Sequence, residues 1–182
     1  MYPAAPHDGG AQDPPAASGP FEDVAETDYF YDAVIWAYSA EPQVTNGMDD
    51  THFGPRATVT RGQAVTFLWR AMGCPEPETA ENPFEDVPES QYYCKPVLWA
   101  VENGITKGTD DTHFSPNQVC STAHILTFLY RTLGIGADGW YQVAAAWAQG
   151  AGLLDGLDLT VAPGVDCLRC DVVYFLFRAL EK

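Results

Sequence analysis

"NGMDDTHFGP", residues 46–55, and "KGTDDTHFSP", residues 107–116, are nearly the same ten-residue loop used twice. A reused loop implies a reused unit, so the repeat is settled before any chemistry is assigned. Superposing the two loops brings their surroundings into register. "FEDV" at 21–24 meets "FEDV" at 84–87, and "YFYDAVIWA" at 29–37 meets "YYCKPVLWA" at 92–100. Beyond the loops, "TFLWR" at 66–70 meets "TFLYR" at 127–131, each 13 residues past the loop aromatic, Phe53 or Phe114. The interval from Trp36 to Phe53 is 17 residues and that from Trp99 to Phe114 is 15, so the first copy carries two extra residues.

A third, fainter copy follows. "WAQGAGLLDG" at 147–156 lies on "WAVENGITKG" at 99–108, and "CLRCDVVYFLFRAL" at 167–180 lies on the helix-like segment from Val119. Pro163 precedes Arg169 by six residues, as Pro116 precedes Thr122. The acidic loop and the "FEDV" opening are absent there, a common departure in a terminal repeat. The expected organisation is a Pro/Ala/Gly-rich linker at 1–20, unit 1 at 21–73, a linker at 74–83, unit 2 at 84–134 and a divergent unit 3 at 135–182. The three units form one composite domain over 21–182.

Each unit reads as helix, loop, helix. Phe30, Ala33, Val34, Ala37 and Tyr38 share one face of the first helix, and Val65, Leu68, Trp69 and Met72 one face of the second. Gly73 and Gly134 stop the second helices. The fold class expected is all-α, with the three units sharing one core, because about 50 residues cannot bury such apolar faces alone.

Composition narrows the function. Among 182 residues, nine Lys and Arg stand against 25 Asp and Glu, a formal charge of −16. That opposes nucleic-acid or anionic-membrane partners engaged through bulk electrostatics, yet leaves room for a small anion held by a local cluster of donors. No apolar run long enough to span a bilayer occurs, so no membrane insertion is expected. No secretion signal is legible at the start. The five Cys, an odd number, exclude a fully paired framework.

Before each second helix stands a tetrapeptide: "TRGQ" at 60–63, "STAH" at 121–124 and "LRCD" at 168–171. Thr60 with Gln63 has capping-box spacing. Arg61 is what capping leaves unexplained, since a cation in the first turn opposes the helix dipole. Beside free helix N–H groups, a guanidinium makes a carboxylate or phosphate receptor; a solvated or core-pairing Arg is the other reading.

With "FEDV…WA…NGITKG…FSP…TRGQAVTFLWRAMG" assembled, the chain resembles the S-layer homology domain from Phe21 to about Leu180. The resemblance implies three tandem units in a pseudo-threefold, three-pronged helical body. It implies grooves between units that bind secondary cell-wall polysaccharide, often through a terminal pyruvylated amino sugar, and so hold surface proteins on the bacterial wall. It implies a non-enzymatic module without cofactors, and a partner that is an anionic amino-sugar polymer. Thr60, Arg61 and Gln63 match the family motif in full. Unit 2 keeps Ser121 but has Thr122 for the Arg; unit 3 keeps Arg169 and Asp171 but has Leu168 in place of the hydroxyl. The expected ranking places the Arg61 groove first and the Arg169 groove second, with Asp171 pairing Arg169. Arg61 is expected to be partly exposed.

Further glycan-contact candidates are Lys107, the turn glycines Gly47, Gly108 and Gly156, and the recurring Trp36, Trp99 and Trp147, which are either core or sugar platforms. The "DDT" acids are turn caps or a calcium site, although the spacing departs from an EF-hand. "CLRC" at 167–170 raises a redox or zinc reading, in which a helix start lowers a thiol pKa; small apolar packing is the rival. No nucleophile motif accompanies His7, His52, His113 or His124. A protein-interaction module on the same scaffold, with a partly lost glycan site, stands as the alternative function.

Overall fold

The computed structural model describes residues 19–79, 81–136 and 139–181, so all but the end of the expected 1–20 linker lies outside the described residues. The described residues form six α-helices: α1 (Tyr31–Ser39), α2 (Arg61–Ala71), α3 (Cys94–Glu102), α4 (Thr122–Thr132), α5 (Tyr141–Gly150) and α6 (Arg169–Leu180). Among the described residues there is no strand, only the isolated bridge pairs Thr58 with Leu168, Thr60 with Val119 and Ser121 with Asp166. No described helix is long and apolar enough to cross a membrane.

The helices pack in a closed order. Each second helix carries the first helix that follows it around the ring: α3 lies on α2, α5 on α4, and α1 on α6. The second helices α2, α4 and α6 also touch one another pairwise. Their inward faces (Val65 and Leu68, Leu126 and Leu129, Val173 and Leu176) are buried and belong to one hydrophobic core.

The segments entering the second helices close the ring through backbone hydrogen bonds. Val59 N–H donates to Cys167 O at 3.3 Å, Cys120 N–H to Val59 O at 2.7 Å, and Cys167 N–H to Cys120 O at 2.9 Å. All three side chains are fully buried there. A residue larger than Val or Cys would crowd its neighbours in such a ring, which accounts for the two thiols as packing.

Two expected core residues stand elsewhere. Tyr38 is exposed and sends its ring edge-on to Phe21 at 5.3 Å, because α1 ends one residue later and its buried face is confined to Ala33, Val34 and Ala37. Met72 is exposed because α2 ends at Ala71, which leaves Met72 at the cap.

The repeated loops are held by their own side chains. Asp49 Oδ1 accepts from Thr51 N–H at 2.9 Å and His52 N–H at 2.8 Å, and Asp110 Oδ1 accepts from Thr112 N–H at 2.9 Å. Asp23 then clamps the loop from outside, accepting from Phe53 N–H and Gly54 N–H at 2.8 Å each. Asp86 does the same for Phe114 and Ser115 at 2.9 and 2.7 Å. The acid of "FEDV" is therefore the partner of a loop some 30 residues away. Gly47 and Gly108 are required twice over: φ is +84° at both, and a Cβ would sit 2.5 Å from Phe21 Cε1 at Gly47 and 2.6 Å from Phe84 Cε1 at Gly108.

A cationic groove between the second helices

Thr60 and Gln63 form the expected capping box: Gln63 N–H donates to Thr60 Oγ1 at 3.3 Å, and Thr60 N–H to Gln63 Oε1 at 3.0 Å. The next two amides of α2 are also occupied. Arg61 N–H donates to Gln118 O at 2.8 Å and Gly62 N–H to Pro116 O at 2.9 Å. At α6, Arg169 N–H donates to Ala57 O and Cys170 N–H to Pro55 O; at α4, Thr122 N–H donates to Val165 O. The expectation of free helix N–H groups beside Arg61 is thus corrected. The neighbouring segment's carbonyls consume them, and any anion here must be met by side chains.

Arg61 is also not partly exposed. It is buried, with Nε donating to Phe114 O at 2.9 Å and an Nη to Thr106 Oγ1 at 3.4 Å, and its guanidinium lies 4.8 Å above Phe114 and 5.6 Å from Phe128. Arg169 repeats the arrangement against the other loop. Its Nη donates to Thr45 Oγ1 at 2.6 Å and Gly47 O at 3.1 Å, and it stacks 5.1 Å from Phe53 and 5.0 Å from Phe67. Burial lowers the pKa of both, that of Arg169 to about 10, which leaves them cationic at neutral pH.

Around Arg61 opens a groove of about 520 Å³. Arg61, Lys107 and Arg131 supply three cations, and Gln118, His124 and Trp140 add donors and an aromatic wall. Among the described residues no carboxylate lines it. Gly104, Thr106, Gly108 and Thr109 form its backbone rim. Arg131 is fixed by donation to Ile105 O at 3.0 Å and Gly139 O at 3.1 Å. His124 takes part in the Ser121 capping box and meets Trp140 edge-on at 5.3 Å. Burial, with the charge of Arg61 behind it, holds His124 below its ordinary pKa and hence neutral.

The other expected contacts fall in different places. Lys107 and Gly108 line the Arg61 groove, Gly47 accepts from Arg169, and Gly156 turns the chain after α5 with φ +79°. Trp99 is buried. Trp36 packs on Phe177 at 5.9 Å and donates to Glu181, and Trp147 packs on Tyr130 at 5.7 Å. None of the three lines the Arg61 groove, because they face the helix that carries them; the platform reading gives way to packing there. The groove aromatics are Phe128 and Trp140, and Trp140 lies outside the repeated "WA" pattern.

Asp171 does not pair with Arg169. It accepts from Tyr29 Oη, and Cys170 Sγ lies 3.9 Å away. Burial raises its pKa and also pushes the thiols up, Cys170 to about 11 and Cys120 to about 12. The helix start therefore does not activate "CLRC", and all five Cys carry free thiols. Among the described residues no group of three His, Cys, Asp or Glu is placed to hold a metal. In the loops, His52 Nδ1 meets both Asp49 and Thr51, and His113 Nδ1 meets both Asp110 and Thr112.

Residues missed from the sequence were Thr45, Thr106, Arg131, Trp140 and the clamp acids Asp23 and Asp86. A signal existed for most of them. Arg70, Arg131 and Arg178 recur at one position of the second helices, and Thr45 and Thr106 recur two residues before a turn glycine.

The chain is 32% identical over 170 residues to the cell surface protein of Thermoanaerobacter kivui, covering 91% of this chain and 22% of that protein. It is 33% identical to an endoglucanase of Bacillus sp. (strain KSM-635), over 54% of this chain and 10% of that enzyme. It is 29% identical to the surface-layer 125 kDa protein of Lysinibacillus sphaericus, over 53% of this chain and 8% of that protein. The chain thus spans less than a quarter of the length of each of these relatives. The family model of the S-layer homology domain matches residues 20–65 and 83–121. Those two segments are S-layer homology units.

Proposed function

We propose that the chain binds an anionic, pyruvylated cell-wall polysaccharide non-covalently and so anchors a longer surface protein at the bacterial cell wall. One observation carries the reading: in a chain of net charge −16, three of nine basic side chains converge on one groove, with no carboxylate among its described lining residues. A groove so charged concentrates anions locally against the overall field. The buried Arg61 and the half-buried Arg131 are donors held by hydrogen bonds, Lys107 is an exposed one, and Trp140 offers a face to a sugar ring. Gly108 lets the backbone approach the ligand. Residues 135–182 are read as a third, divergent unit, supported by α5 on α4 and by the place of Cys167 in the backbone ring.

The test is calorimetric titration with purified wall polymer and with the same polymer after removal of its acidic substituents. Binding that survives removal would overturn the reading. A second reading, a protein-interaction module, is favoured by Thr122, which stands at the start of α4 where α2 and α6 carry Arg61 and Arg169. Binding to protein extract of the cell surface but not to polymer would select it.

A further inference from the structure

The fourth position of the helix-start tetrapeptides carries a different side chain in each unit. Gln63 Oε1 accepts from Thr60 N–H at 3.0 Å, and His124 Nδ1 accepts from Ser121 N–H at 3.3 Å. Asp171 stands at the same place in α6. Of the three, His124 is the group whose ordinary pKa lies near neutrality. A backbone N–H can only donate, so Nδ1 offers its lone pair and the proton of the neutral ring sits on Nε2. Ser121 Oγ lies 2.7 Å from the same nitrogen and itself accepts from His124 N–H at 3.3 Å.

The surroundings make the charge of this ring depend on what enters the groove. His124 is half-buried and lines the Arg61 groove. Arg61 faces it from α2, Lys107 from the loop before α4, and Arg131 from its own helix; Gln118 and the edge-on Trp140 are uncharged. Among the described lining residues there is no carboxylate, and Asp86 acts on Arg61 while it clamps the loop amides. Burial and the charge of Arg61 hold the ring below its ordinary pKa. A carboxylate brought within a few ångström reverses that balance, because an opposite charge favours the imidazolium. The cap accommodates the extra proton. It enters at Nδ1, the Ser121 hydroxyl turns from donor to acceptor, and the loss is the single bond from Ser121 N–H. His113, on the loop that carries Lys107, is exposed and already paired with Asp110 at 3.0 Å, which raises its pKa.

We infer that His124 makes anion binding in this groove proton-linked: neutral without ligand, its ring takes up a proton at Nδ1 when a carboxylate enters. The inference rests on the acidic-polysaccharide reading above and adds its regulation by pH. Its test is calorimetry with purified acidic wall polymer at about pH 8 and about pH 5.5, both above the range in which a carboxyl group ordinarily titrates. In wild type, affinity should rise about three- to tenfold toward the lower pH. Net proton uptake should show in the dependence of the binding enthalpy on the buffer. In His124→Gln, which installs the non-titrating cap of α2, affinity should not change with pH, whatever its level. In NMR the His124 ring should titrate at higher pH with polymer than without. Equal dependence on pH in wild type and His124→Gln overturns the inference and points to His113 instead. Binding without proton uptake also overturns it, and both results leave the acidic-polysaccharide reading standing. Wild type that binds the polymer at neither pH overturns both. If His124→Gln does not fold, wild-type proton uptake and the ring titration decide by themselves.

Discussion

The start of α2 and the start of α4 share a backbone and differ in chemistry. Both have a hydroxyl N-cap in a capping box, and both give their first helical amide to a carbonyl of the next segment. At the second motif position one carries Arg61, which spans to the following loop; the other carries Thr122, fully buried and short. The start of α6 is a third variant. Arg169 repeats the reach of Arg61, but the cap hydroxyl is gone and Asp171 takes a tyrosine instead. The lesson is that main-chain carbonyls and the core hold the ring together, which frees the side chain at this position to set the charge of each groove independently.

The strongest way to break that comparison is to truncate the two arginines. Arg61→Ala and Arg169→Ala should each cost about 3 kcal/mol of stability, by emptying a stacked site and orphaning a buried acceptor. Thermal melts should fall by roughly 6–12 °C in both. The cost follows from the burial of Arg61, which the sequence alone led one to expect as partly exposed. A melt unchanged in Arg61→Ala would show that the loop holds without it. Next in size, Asp23→Ala and Asp86→Ala should each cost about 2 kcal/mol, since two loop amides lose their acceptor in each case. Denaturant midpoints with unchanged slopes would check this.

Lys107→Ala sharpens the comparison on the ligand side. Lys107 is exposed, so stability should move by less than about 0.5 kcal/mol, while affinity for acidic wall polymer falls about five- to tenfold in calorimetry. An unchanged affinity would remove Lys107 from the site. The smallest effect concerns Asp171. Burial raises its pKa, so the folded state holds the proton more tightly than the unfolded chain, whose carboxyl titrates near 3.8. That stability is complete below the unfolded value and is lost as pH rises through the raised folded value. Asp171→Asn should therefore flatten the decline by less than about 1 kcal/mol between pH 4 and 7, read from melts across pH. A wild-type stability that rises over this interval and flattens in Asp171→Asn would reverse the assignment.

What the sequence determined is what a few consecutive residues decide by themselves. Thr60 and Gln63 cap a helix through bonds three residues apart, and Gly47 and Gly108 permit a turn that a Cβ forbids. The matched apolar spacing of Val65 and Leu68, Leu126 and Leu129, and Val173 and Leu176 marks faces that must be buried together. Arg61 stood out because its charge opposes the local dipole, a conflict visible without coordinates. Only the tertiary structure decided where that charge goes. The amides beside Arg61 are filled by Gln118 and Pro116, some 55 residues on, and its fork ends on Phe114 and Thr106. Trp140 reaches the groove while Trp36, Trp99 and Trp147 do not, because closing the ring sets each first helix on the preceding second helix. Local hydrogen bonds and dihedral limits are written in short sequence intervals. Burial, charge convergence and the choice of acceptor depend on segments that meet only when the ring closes.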